Sequence, residues 1–165
     1  MTPSTNIEIV GAKQAIIALR KIDPELRKQF NRDVKDIVKP VVDQMKAKYP
    51  QMPLSGMKRS WTPQNKSFKL FPYSQAAAKK GVKYKIDTSR KAVALIKIQQ
   101  TNAGAMAFEL TGKGGSTPFS RRLSAFAGLP IRVIWPVFNA NEQNVSREIE
   151  KTVLAATNLV QKELN

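Results

Sequence analysis

Apolar residues recur every three or four positions from Leu26 through Phe30, Val34, Ile37, Val38, Val41, Val42 and Met45 to Tyr49, while Arg27, Lys28, Arg32, Lys35, Asp36, Lys39 and Asp43 occupy the other face. That stripe predicts a long amphipathic helix. Asp23-Pro24 gives its start an N-cap acceptor and a first-turn proline. Pro40 removes one amide donor, but the stripe keeps its phase across it, which predicts a kink within one helix. Tyr49-Pro50 ends the helix. A second stripe, Val145, Ile149, Val153, Ala156, Val160 and Leu164, predicts a C-terminal helix opened by Asn139 with Glu142 in a capping box. A shorter helical spacing (Ala15, Ile16, Leu19, Ile22) precedes the first long helix.

The periodicity between the long helices changes to two. Val82, Tyr84 and Ile86 alternate with Lys83 and Lys85, Asp87 to Arg90 supplies turn residues, and Val93 to Ile98 is rich in branched residues, so a hairpin is expected. Trp61, Phe68, Leu70 and Phe71 suggest further extended pieces, and Ile131, Val133 and Trp135, closed by Pro136, read as another strand. Ala103–Leu110 fits strand and helix equally, the pattern fixes no conformation for Ala76–Lys80, and a short helix fits Arg121–Phe126. The expectation is one α+β domain over 1–165, with the N-terminal and C-terminal helices packed on a small, mostly antiparallel sheet. Residues 1–6 are expected as a flexible arm, and 50–60 and 112–120 as mobile loops.

Charge sharpens this picture. Residues 51–100 hold eleven Lys or Arg and a single acid, Asp87, within a chain of net charge +16 and pI near 10.3. Because the same stretch alternates apolar and polar positions, these cations are expected on a folded face, and Lys58, Arg59, Lys79, Lys80, Lys83 and Lys85 are the candidate docking residues. Such a face suits an acidic protein surface or a nucleic acid. Trp61, Phe68, Phe71 and Tyr73 interleaved with lysines resemble a stacking platform for single strands. The alternation at Val82 to Ile86 instead favours an aromatic and aliphatic inner face with lysines outside.

The chain has no His and no Cys, so disulfides, thiolate metal sites and histidine acid–base chemistry are absent. No acidic loop cluster suggests a metal, and no cofactor motif is present; neither a membrane-spanning run nor a secretory signal is expected. Glu109 is the one acid in the apolar, glycine-flanked middle; it could pair with a lysine or accept backbone amides. Gly112-Lys113-Gly114-Gly115-Ser116-Thr117 lacks the spacing of a phosphate loop and is expected to be a flexible tip or a backbone turn requiring positive φ. A non-enzymatic role follows.

The order of parts resembles the small tail-completion or neck proteins of long-tailed bacteriophages, also called minor tail or head-to-tail connector proteins. The resemblance rests on four short elements: Gly11 to Leu19 before the basic helix Leu26 to Tyr49; Pro53-Leu54-Ser55-Gly56 followed by Trp61; Phe108-Glu109-Leu110-Thr111-Gly112; and Trp135-Pro136 before the closing helix. Thr111-Gly112 stands in the reverse order of the family's Gly-Thr. The candidate family-motif positions are therefore Glu109, Gly112, Trp135 and Pro136. The resemblance implies a virion protein at the head–tail junction, assembled in the cytoplasm of an infected bacterium. It also implies a homo-oligomeric ring of about sixfold symmetry between head-connector and tail proteins, with contact to DNA in the conduit left open. The alternative is a basic nucleic-acid-binding domain.

Overall fold

The computed structural model describes residues 4–7, 24–54, 57, 60–61, 68–69, 73–87, 95–112 and 117–164. Strand β1 (Ser4–Ile7) is followed by the long helix α1 (Pro24–Lys48), strands β2 (Ser60–Trp61) and β3 (Phe68–Lys69), helix α2 (Gln75–Gly81), strands β4 (Val82–Ile86) and β5 (Ile96–Gln100), helices α3 (Ala103–Leu110) and α4 (Pro118–Ala127), and the long helix α5 (Ile134–Leu164). The fold is α+β, with the two long helices near its ends, as the two apolar stripes predict. The chain divides into two compact units: one of residues 1–4, 43–83 and 99–137, the other of 5–42, 84–98 and 138–165.

Helix α1 runs continuously through Pro40, which lies on its exposed side. Its buried positions, Phe30, Val34, Val38, Val41, Val42 and Met45, are those of the sequence stripe. On α5, Val145, Ile149, Val153 and Ala156 are buried in the same way.

The sheet containing the hairpin has the order β1-β5-β4, and β2 pairs antiparallel with β3, placing Trp61 opposite Phe68. The Asp87 N–H donates to Leu95 C=O (2.8 Å) and the Thr101 N–H to Gly81 C=O (2.9 Å). The two bonds share one antiparallel register, so β4 and β5 form a ladder without a slip. Val82, Ile96, Ile98 and Gln100 are buried, while Lys83, Lys85 and Lys97 are exposed. The expected start of the second strand at Val93 lies outside the described residues; the described strand begins at Ile96.

Three short helices carry side-chain caps. Ser74 Oγ accepts from Ala77 N–H at 3.1 Å, Asn102 Oδ1 from Ala105 N–H at 2.9 Å, and Thr117 Oγ1 from Ser120 N–H at 3.2 Å. Each acceptor satisfies an amide that has no partner within its helix. The segments whose conformation the pattern left open, Ala76–Lys80 and Ala103–Leu110, are thus helical. Helix α4 starts at Pro118, so Pro118–Ser120 is helix rather than part of a loop, and Ser4–Asn6 lies in β1 rather than in an arm.

The expected strand at Ile131–Trp135 is not formed. Ile134 opens α5, and Val133, Ile134, Val137 and Phe138 are buried, a helical spacing that the apparent alternation conceals. Pro136 sits in the first turn, where an amide is not needed. Asn139 and Glu142 therefore lie within the helix and form no capping box.

Candidate functional site

Two features could carry function: the exposed lysines and a buried carboxylate. Within the first unit, Lys79 is half-buried and Lys80 exposed in the last turn of α2, where a cation faces the negative end of the helix dipole. Lys83 on β4 is exposed in the same unit. In the second unit, Lys85 and Lys97 are exposed, and the ladder register sets them opposite each other on β4 and β5. Like charges facing across a ladder cost stability, a cost that an anion on the same face offsets. Asp87 meets Lys85 at 3.5 Å, but the lysine is largely exposed and such pairs contribute little. Lys58 and Arg59 lie outside the described residues. Lys97 is not among the predicted docking residues, although the alternation of Ile96-Lys97-Ile98 signals its outward direction.

Glu109, in the last turn of α3, is fully buried. Its Oε1 accepts from the Tyr49 hydroxyl at 2.7 Å and from Ile134 N–H at 3.3 Å. Its Oε2 accepts from Arg132 N–H at 2.7 Å and Val133 N–H at 3.1 Å. The carboxylate thus caps α5 from another helix, holding the amide of its first residue and those of the two residues before it, and placing negative charge at the positive end of its dipole. Of the two structural roles open to Glu109, acceptance of backbone amides is the one observed.

The Arg132 side chain completes the arrangement without meeting the carboxylate that its backbone amide binds. Its guanidinium donates to the carbonyls of Phe108, Thr111 (2.8 Å) and Gly128 (3.1 Å), closing the C-terminal end of α3 and the end of α4. It also lies 5.5 Å from the centroid of the Phe108 ring, which is flanked by Tyr49 and Tyr73 at 6.3 and 6.1 Å. Burial lowers the Arg132 pKa, opposed by the Glu109 charge. Gly112 has φ +124°, and a Cβ there would come within 2.5 Å of Ser124 Oγ, so glycine is required. Trp135 and Pro136 are exposed on the first turn of α5. Of the four family-motif positions, Glu109 and Gly112 serve the packing of this unit, and Trp135 and Pro136 face outward.

The tyrosines around Glu109 respond to alkali. Burial, reinforced by the Glu109 charge, pushes the Tyr73 hydroxyl up to about 12 and raises Tyr49 further. A hydroxyl whose folded pKa exceeds its unfolded value contributes stability that is complete below the unfolded value and lost as pH rises through the folded one. The denaturation midpoint is therefore expected to fall from about pH 10 upward, through about pH 12. A Tyr49→Phe, Tyr73→Phe chain should show a shallower alkaline decline in parallel urea titrations; identical slopes would contradict the assignment.

Both oxygens of Glu109 are occupied by donors and shielded from solvent, an arrangement suited to holding backbone. Among the described residues, no group of three or more acids could hold a metal ion, and no helix is long and apolar enough to cross a membrane. No protein-family model, curated protein or solved structure matches the chain.

Proposed function

We propose that this protein is a structural subunit of the head–tail junction of a long-tailed bacteriophage, forming a ring and seating its lysine-bearing surface against an acidic neighbour. The observation that carries the reading is the ordered placement of the cations. Lys83 in the first unit and Lys85 in the second each occupy an exposed position of a strand, so in each unit the charge belongs to folded structure and not to a loose basic tail. The order of parts shared with tail-completion proteins supports the setting. Rigid charge orients a subunit during docking and speeds its association. Among the described residues, the buried carboxylate, Glu109, is consumed by helix capping, which also favours assembly over turnover.

The test is replacement of Lys79, Lys80, Lys83 and Lys85 by Glu. All four are exposed or half-buried, and the variant should keep its circular dichroism and lose only a few degrees of thermal midpoint, the cost of two acids at the negative end of α2. Joining of heads to tails in a lysate lacking the wild-type protein should drop by about a hundredfold or more, since losing one partner of a charge pair that docking buries typically costs about 2–5 kcal/mol. Unimpaired joining would remove this surface from the docking site. Tight duplex binding by a monomer at physiological salt, weakening steeply as salt is added, would instead favour a nucleic-acid-binding domain.

A further inference from the structure

Between Phe126 and Trp135 the first unit exposes four large apolar side chains: Phe126 (55%), Leu129 (81%), Ile131 (42%) and Trp135 (46%). Single exposed apolar residues are ordinary, but four within so short a stretch mark an interaction surface. The backbone beneath them is held firmly. Ile131 has φ +63°, a conformation that a β-branched residue rarely adopts. It is fixed there by its N–H bond to Glu109 C=O at 2.5 Å and by the bond from neighbouring Arg132 Nε to Gly128 C=O. Strain maintained by surrounding bonds at an exposed tip suits a preformed contact, because a rigid tip loses little entropy on docking.

The charge around the tip narrows the occupant. No Asp or Glu occurs from Leu110 to Asn141. Arg121 and Arg122 on α4 are exposed, and among the described residues neither has a carboxylate within ion-pair distance. The second unit presents a matching recess. Leu26, Phe30 and Asp33 of α1 and Ala155, Ala156 and Leu159 of α5 line a groove of ≈ 290 Å³. Asp33 accepts from Gln29 Nε2 at 2.6 Å and, among the described residues, has no cation within ion-pair distance. Lys151, which also lines the groove, is already paired with Glu148 at 2.8 Å.

We infer that the Phe126–Trp135 tip of one copy seats in the Leu26–Leu159 groove of a second copy, with Arg121 or Arg122 meeting Asp33. The contact joins two different patches, so copies chain head to tail and close into a ring when the rotation per copy allows. The inference deepens the proposed function and rests on its ring, for which it names the contact between neighbours.

A mixing experiment tests it. Leu129→Asp alters the tip and Ala155→Arg blocks the groove; both positions are exposed, so both chains should fold, as circular dichroism will verify. In sedimentation velocity, the wild-type protein should self-associate with rising concentration. Each variant alone should associate about thirtyfold more weakly or worse, the effect of losing one anchoring side chain. Their equimolar mixture should form a dimer and nothing larger, because one intact tip and one intact groove remain. Variants that associate like wild type would overturn this contact while leaving a ring by another route. Weakened variants that give no dimer on mixing would show a self-complementary interface and also overturn it. A wild-type chain that stays monomeric at every concentration would overturn it too, and the lysine-reversal joining assay would then judge the head–tail reading independently.

Discussion

Glu109→Ala is expected to lower the thermal midpoint by roughly 10 °C, the shift that about 4 kcal/mol produces in a chain of this size. The substitution removes the acceptor of four hydrogen bonds in a fully buried position. Three of the stranded donors are amides at the start of α5 and the fourth is the Tyr49 hydroxyl, itself buried. Unsatisfied buried donors cost about 1–3 kcal/mol each, and partial rearrangement keeps the total below their sum. Glu109→Gln separates charge from geometry. Its one carbonyl oxygen can still serve two donors, but its amide group presents hydrogens where the structure offers hydrogens, so about half of the loss should remain. Differential scanning calorimetry of the three chains measures both. A shift below about 2 °C for the alanine variant would mean that α5 is capped by other means.

The long helices are readable in the sequence because each buries one continuous stripe, and a period near 3.6 residues matches the α-helix and not the strand. That period puts Phe30, Val34, Val38 and Met45 in the core, and all four are buried. The hairpin is legible for the corresponding reason: lysines at every second place in Val82–Ile86 leave one face for the interior. The start of α5 is not. Read two residues at a time, Ile131-Arg132-Val133-Ile134-Trp135 is a strand; it becomes a helix start because Glu109, more than twenty residues earlier, offers its carboxylate to the amides of Arg132, Val133 and Ile134. A local window contains no sign of that acceptor. Tertiary capping overrides local alternation here.

The candidate site divides along the same line. Exposed lysines follow from strand alternation, which places Lys83 and Lys85 correctly, and Lys97 follows by the identical rule. Glu109 is conspicuous as a lone acid among apolar neighbours, and amide acceptance is one of the two structural roles open to it. Its particular donors depend on contacts between residues far apart in sequence. Arg132 gives no sign of its role, since an arginine between Ile131 and Val133 looks like an outward strand position. The apolar tip is concealed by the same alternation: as strand residues Ile131 and Trp135 would belong to the core, yet both are exposed.

Gly81→Ala should be nearly as damaging as the loss of Glu109, although it adds only one methyl group. A Cβ at this position would stand 1.9 Å from Gln100 Oε1 and 2.8 Å from Asn102 Cβ, and the Asn102 backbone nitrogen lies only 3.0 Å away. Gln100 cannot withdraw freely. Buried, it donates from Nε2 to Ala78 C=O at 3.0 Å and accepts at Oε1 from Asn102 N–H at 2.8 Å. These bonds link the end of α2 to the start of α3, beside the Thr101 bonds to Gly81 C=O. Displacing the amide breaks both bonds and leaves buried polar groups unpaired, so a loss of about 3 kcal/mol is expected from overpacking and desolvation together. Gln100→Ala alone should cost about 2 kcal/mol, because it leaves one carbonyl and one amide without partners but introduces no clash. The two effects share one cause, so the double variant should be less destabilised than the sum by about 1 kcal/mol or more. The remaining deficit would come from Asn102, whose backbone stays close whatever occupies position 100. Urea unfolding of the four chains closes the cycle. Strict additivity would show that Gly81 is required for a reason other than the approach of the Gln100 side chain.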